Sequence, residues 1–482
     1  MILLSWIRSD NRIRVLVLVA VLCGLATGCT TYQQQNKVIL YWRQGNLTNA
    51  MVEAAKMTDQ NANNKDAVIW RLEQGAVLRA NGQYEESNKA FDKAQDKIDQ
   101  YSQEAKVKLG HEGGAFLSSQ AELPYEGRAY DGIMLNTYET LNYLAMGDSD
   151  KARPEIIRAY QRQEEAVEEN KKRIEEIQNE AESTTNRATV EKAQQDSSFQ
   201  AAIQGDYTYL DSLKPYADYV NPYTVYLDGL FFMANAADAS DLEHAHKSFE
   251  RISTLLGDNA YIEQDLMAVD GLMNGKSLTP TTYFIFETGC APVRDQIRID
   301  IPTFWPELPY LGAAFPTLKF QNNYTPSLTV AAAATNTTTV LLSSMDSVVG
   351  RDFRNELPSI ITKTLISSAI KAAATHFAWE ATRQRQADGS LDNGGIAGAL
   401  VLASASVYQV AVNISDTRTW TTLPKEFQFC RIATPPDRKI ELRTPDGSQK
   451  IPVTIGEGTI NLIYVKSISL GTPLLVSQIK LK

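Results

Sequence analysis

The spacing of apolar and polar residues divides this chain into three stretches, each predicting a different kind of structure. In the first, Val15 to Leu25 form an uncharged apolar run, with Arg8, Arg12 and Arg14 ahead of it and Ala26-Thr27-Gly28-Cys29 behind. That order reads as an export signal, because the run is shorter than the roughly 20 apolar residues that a bilayer span requires. Small residues before Cys29 let the chain lie extended in a peptidase site. Cleavage is expected after residue 28, with Cys29 acylated as the first mature residue and 29–35 serving as a lipid-anchored tether. Ala26 stands where leucine is commonest in such signals, with Leu25 one place earlier.

From 36 to 276 charged and apolar residues interleave at helical spacing, with few β-branched runs. Gly75, Leu78, Gly82, Tyr84, Phe91 and Ala94 have the spacing of a tetratricopeptide helix pair, with Ser87 in the place of the usual alanine. Small residues let two antiparallel helices approach, Gly82 permits the turn, and Tyr84 and Phe91 fill the seam. Weaker copies run through Gly45, Leu47 and Ala50, then through Leu144, Gly147, Ala152, Ile156 and Ala159. A fourth runs through Gly229, Phe232, Ala245, Phe249 and Ile252, with a lengthened turn. The alternative is an irregular helical bundle. Within this stretch 150–204 is highly charged, and its sparse apolar series (Ile156, Tyr160, Val167, Ile174, Ile177) predicts a long helix turning back near 184–186. A coiled-coil arm competes with a solvated face as its explanation.

After Thr279 the period shortens to two. Residues 283–286 and 296–301 read as strands, with prolines at 292, 302, 306, 309 and 316 between and after them. Helical spacing returns over 352–386 and 396–412, and strands follow at 427–432, 439–443, 451–455, 459–466 and 474–481. The uncharged stretch 394–414 is long enough for a span, but its glycines, alanines and serines suit a closely packed buried helix. The fold class expected is therefore an all-α tetratricopeptide-like helical repeat over 36–276, followed by an α+β, β-sandwich-like domain over 277–482.

Charge changes the picture next. The whole chain carries −10, and loss of three arginines and Asp10 with the signal leaves −12, which excludes nucleic acid as a partner. Of four cysteines, Cys23 leaves with the signal and Cys29 is acylated, so Cys290 and Cys430 are free to pair in an oxidising compartment. Catalytic signals are poor. Residues 271–277 resemble a phosphate loop with one residue too few between the glycines, and they follow a helix where a phosphate loop follows a strand. His244 and His246 diverge by about 200° on a helix and cannot share a metal. His111 and His376 stand alone, and no cofactor is implied.

Two clusters remain. Tyr125, Gly127 and Tyr130 open the helix that continues through Leu144, and Asp416-Thr417-Arg418-Thr419-Trp420-Thr421-Thr422-Leu423-Pro424 joins the apolar stretch to the C-terminal strands. On these residues the chain resembles a family of uncharacterised bacterial lipoproteins with tetratricopeptide-like N-terminal regions and an Asp-Thr-Arg-x-Trp-x-x-Leu-Pro motif. The resemblance implies a membrane-anchored periplasmic protein and no known reaction. Arg418 is expected to fork onto Asp416 or a carbonyl, and Trp420 to fill a gap between helix and sheet. A concave repeat surface would present Trp70, Arg71, Asn136, Tyr143, Tyr223 and Tyr226 to a periplasmic protein partner, with seam-filling as the competing role. Thr30 carries no inner-membrane retention signal, so the expected reading is an outer-membrane protein-binding scaffold, anchored to the membrane through the lipid at Cys29. An envelope enzyme acting on peptidoglycan or polysaccharide and a subunit of an export or assembly apparatus are the alternatives.

Overall fold

The structure is a computed structural model, which describes residues 37–108, 121, 123–183, 187–214, 216–306, 308–332, 335–387 and 415–482. Residues 1–36, expected to hold the export signal, the acylated Cys29 and the tether, and the uncharged stretch 394–414 lie outside the described residues.

Helices α1 (Lys37–Arg43), α2 (Leu47–Gln60), α3 (Ala67–Ala80), α4 (Tyr84–Lys108), α5 (Ala129–Ala145) and α6 (Ser149–Ser183) each pack against the next. The α3/α4 hairpin follows from its residues. Gly82 takes the left-handed conformation in the turn (φ 75°), and Gly75 leaves room for Phe91, whose ring would lie 2.3 Å from a Cβ there. Ser87 donates its hydroxyl to the Gly75 carbonyl at 2.7 Å, which explains a serine on a seam that usually takes alanine. Gly229 makes the equivalent approach to Phe249, between α9 (Pro222–Asn235) and α10 (Ala239–Leu256). The charged stretch does not run unbroken to 204. It is α6 followed by the shorter α7 (Arg187–Gln195) and α8 (Ser197–Tyr207), with Asp196 capping α8 through the amides of Ser198 and Phe199. Ile156 and Ile177 of α6 are buried, while Val167 is exposed. Helix α11 (Ala260–Met273) ends in a turn at Gly275, so 271–277 is a helix terminus.

Among the described residues the strands that follow are β1 (Thr281–Thr288), β2 (Val293–Trp305), β3 (Leu308–Lys319), β4 (Thr329–Ala332), β5 (Thr335–Thr338), β6 (Val340–Ser344), β7 (Glu426–Ala433), β8 (Lys439–Arg443), β9 (Lys450–Thr454), β10 (Ile460–Ser467) and β11 (Leu475–Lys480). Between β6 and β7 lies α12 (Met345–Ala387), a helix of 43 residues. Among the described residues three sheets form, in the orders β11-β10-β1-β7-β6, β5-β4-β8-β9 and β2-β3. Central β1 is parallel to β10 and antiparallel to β7.

The five-stranded sheet is apolar on both faces. Phe284, Phe286, Cys430, Ile463 and Val465 point to the four-stranded sheet and pack on Val330, Ile440 and Leu442. Tyr283, Ile285, Phe427, Phe429, Leu462 and Tyr464 point the other way, into the helices. That second core runs continuously from Val38 of α1 to Leu481. The helix-to-strand boundary near 276 is therefore a change of secondary structure within one shared core. A third cluster joins β2 and β3 to α7, α8 and α12 through Phe199, Phe315, Leu365 and Ala369.

Candidate functional site

Of the residues predicted for a binding face, Tyr223 and Tyr226 are covered by the chain's own sheet. Trp70, Asn136, Tyr223 and Tyr226 are at most 1% exposed, and Arg71 and Tyr143 are half-buried. Tyr223 stacks on Phe427 with ring centroids 4.0 Å apart, and Tyr226 meets Phe429 at 4.9 Å. Tyr226 also donates to Asp265 at 3.0 Å, as does Tyr283 at 2.7 Å. Asn136 is enclosed by Glu139, Glu155 and Arg162. Trp70, Asn136, Tyr223 and Tyr226 are thus enclosed by the fold, whereas Arg71 and Tyr143 keep part of their surface exposed. Seam-filling wins because a helical layer that flanks a two-faced apolar sheet buries its aromatics against it.

The segment 416–422 is a clasp between that sheet and the helices. Arg418 bonds Asp416 through Nε at 2.8 Å, Asp66 at 3.0 Å and the Leu123 carbonyl at 2.9 Å. Trp420 is fully buried, edge-on to Phe91 and Tyr138, with its Nε1 donating to Thr422 at 2.9 Å. Thr421 and Thr422 each donate an amide and a hydroxyl to the buried Glu73 carboxylate of α3. Four donors on one carboxylate satisfy a charge that burial would otherwise make costly.

Cys290 and Cys430 do not form a bridge; both are free, buried thiols. Cys430 faces the inter-sheet core, opposite Phe284 in register, whereas Cys290 lies in the helix-facing core with its Sγ 3.7 Å from the Ile468 carbonyl. Sulfurs serving opposite faces of one sheet cannot meet at bonding distance without breaking it. Burial raises both thiol pKa values.

The arrangement with chemical potential lies where α3 and α5 meet the β11 end of the five-stranded sheet. A cleft of about 390 Å³ opens there, walled by Ala76, Ala80 and Tyr84 on the helix side and by Leu475, Val476 and Ser477 on β11. At its floor Glu287 accepts hydrogen bonds from Tyr138 (3.0 Å), Tyr464 and Lys466. Burial alone would raise this carboxyl. The Lys466 ammonium, the Tyr464 hydroxyl and Arg79 outweigh it and hold the group below its ordinary range. Lys466 in turn sits over the Trp42 ring at 4.6 Å.

Arg79 closes one side of the cleft. Its guanidinium lies 4.9 Å from the Tyr464 ring and 5.3 Å from that of Tyr138. Nη1 donates to Asn142 at 2.7 Å, and Asn142 donates onward to Ser87 and Asn88. A guanidinium has five N–H donors, and among the described residues this one spends a single bond on a protein acceptor. With Lys466 set against Glu287, the cleft has one positive charge in excess.

Arg79, Glu287 and Lys466 escaped the sequence reading. A signal existed. Tyr283, Ile285 and Glu287 alternate on one face of β1, as do Leu462, Tyr464 and Lys466 on β10, and Glu287 and Lys466 are register partners. Opposite charges ending two apolar strand faces predict an ion pair once those strands are known to be neighbours. No protein-family model matches the chain, and no curated protein or solved structure matches it either.

Proposed function

We propose that this chain is a periplasmic lipoprotein, anchored in the outer membrane through Cys29, that binds a protein partner of the cell envelope at the Arg79 cleft. The order of residues 8–29 supports the anchor. Tetratricopeptide-like hairpins are the reading of the helical layer that the Gly75–Phe91 and Gly229–Phe249 approaches support. The motif 416–424 supports kinship with the uncharacterised lipoproteins. One observation carries the binding site: Arg79, more than nine-tenths buried and with unused donors, lines a cleft whose opposite wall is an edge strand. Strand β11 has β10 on one side and no strand on the other among the described residues. An extended polypeptide adds to such an edge through main-chain hydrogen bonds, and a carboxylate along it meets Arg79.

The test places a photo-crosslinking amino acid at Ser477 in cells, with a second at the exposed Phe377 of α12 as a control. A protein adduct at 477 that is absent at 377 and lost in Arg79→Met, with melting temperature and membrane fractionation intact, is the expected result. An adduct unchanged by Arg79→Met removes the cleft from the reading.

A further inference from the structure

Strand register fixes what the Arg79 cleft would meet on a strand laid along β11. On the helix-facing side of the sheet Glu287, Lys466 and Leu475 stand in one row, and Ile285, Tyr464 and Ser477 in the next. The alternate residues of β11 face away. Val476 packs on the core between the sheets, and Gln478 bonds the Gly456 amide and the Thr454 carbonyl. Each row is a line of cross-strand neighbours, so a further strand beside β11 would extend both rows by one side chain.

The two rows differ in charge. In the first, Lys466 is held by Glu287, and the cleft carries Leu474, Ala76 and Ala80 as well as Leu475. In the second, the guanidinium of Arg79 lies over the Tyr464 ring at 4.9 Å. It is more than nine-tenths buried, and among the described residues it spends one bond on Asn142. The groups that act on it electrostatically are Glu287 and the hydroxyls of Tyr464, Tyr84 and Tyr223. Of the acids at the start of α4, Glu85 is paired with Lys89, and Glu86 lies within reach of the same lysine. On β11 the helix-facing residues are Leu475, Ser477 and Ile479. The shortest side chain of the three therefore stands in the row that leads to Arg79, and it lines the cleft.

We propose, resting on the binding reading above, that the cleft selects a partner strand by an aspartate or glutamate across from Ser477 and an apolar residue across from Leu475, two positions away. The carboxylate gives the unused donors of Arg79 a paired acceptor, and the apolar residue covers Leu475. In an antiparallel strand the acid comes first and the apolar residue follows it; in a parallel strand the order is reversed.

The experiment selects random linear peptides, displayed on phage, against the full chain and titrates the enriched sequences as free peptides by fluorescence anisotropy. Enrichment of an acid and an apolar residue two places apart is the expected result. Exchanging the peptide's acid for its amide should weaken binding about tenfold or more, and Arg79→Met should abolish that difference. Ser477→Trp, which leaves Arg79 in place and fills the end of its row, should weaken the same peptides. The amide comparison uses the unaltered protein, so it does not depend on how either variant folds. Peptides that Ser477→Trp displaces but whose acid is dispensable overturn the proposal and leave the cleft as a binding site. A selection that yields no peptide sensitive to Ser477→Trp overturns it as well, and the in-cell adduct at 477 then decides separately whether the cleft binds protein.

Discussion

Asp352 and Glu356 stand one turn apart on α12, and their surroundings move them in opposite directions. Burial and the charge of Glu356 push the Asp352 carboxyl well up, whereas Arg128, Arg294 and Arg173 outweigh burial at Glu356 and hold it well down. Burial also raises Asp131 and Asp265 to about 6, against the partial opposition of Tyr125 at the first and Arg431 at the second. These raised acids set the pH dependence of stability. A carboxyl whose folded pKa exceeds its unfolded value binds protons more tightly when folded, so it costs stability above the folded pKa, and that cost is relieved as pH falls. His244, favoured as a cation by Asp228, acts in the same direction. Glu287, Asp416 and Glu356 act oppositely, but only below the ordinary carboxylate range, where their protonation removes stability. The melting temperature is therefore expected to rise as pH falls from 8 to about 5 and to drop again below about 4. Asp352→Asn should flatten the upper part of that rise. A wild-type melting temperature that is level or falling from pH 8 to 5 would contradict these assignments. At this scale the sequence gives little away. Trp70, Asn136, Tyr223 and Tyr226 look like binding residues because aromatic and amide groups serve interfaces and cores alike, and only the position of the sheet separates the two roles.

Among elements, the α3/α4 hairpin makes the sharpest demand on its sequence. A Cβ at Gly75 would overlap the Phe91 ring, which Trp420 meets edge-on from elsewhere in the core. Gly75→Ala is expected to destabilise the protein by about 1–3 kcal/mol through overpacking. Adding Phe91→Leu should recover part of that loss, because the smaller side chain gives the methyl its room. Additive losses in the double variant, measured by denaturant unfolding, would show that the two residues do not share the seam. This hairpin is legible in the sequence because its glycines and aromatics recur at fixed spacing. Strands β1, β2 and β7 to β11 are legible for a similar reason, since alternation or apolar runs bounded by turns mark them. Strand β3 is not, because Leu308 to Lys319 contains Pro309, Pro316, Gly312 and two alanines, which are poor strand formers. It holds its place by pairing along nearly the whole of β2. The parallel neighbours β1 and β10 are equally hidden, for pairing across a long separation leaves no local trace.

For the whole molecule, the shared core decides how the chain can be divided. The five-stranded sheet places Tyr283, Phe427, Phe429 and Tyr464 against the helices, and the clasp adds Glu73 to Thr421 and Thr422. Expressed separately, residues 30–276 and 277–482 are each expected to expose that apolar face and to show no cooperative melt. Mixed, or as one chain, they should give a single transition. Two independent transitions in the intact protein would show that the layers are separable after all. The position of β1 has a further consequence, for the order of assembly. Its partner β10 lies far along the chain, with Glu287 and Lys466 separated by 179 residues. The central strand therefore lacks its first neighbour, β7, until residues 426–433 have been synthesised and its parallel neighbour until 460–467, and closing such long loops is slow. Until β10 arrives, the middle of the sheet has one flank open.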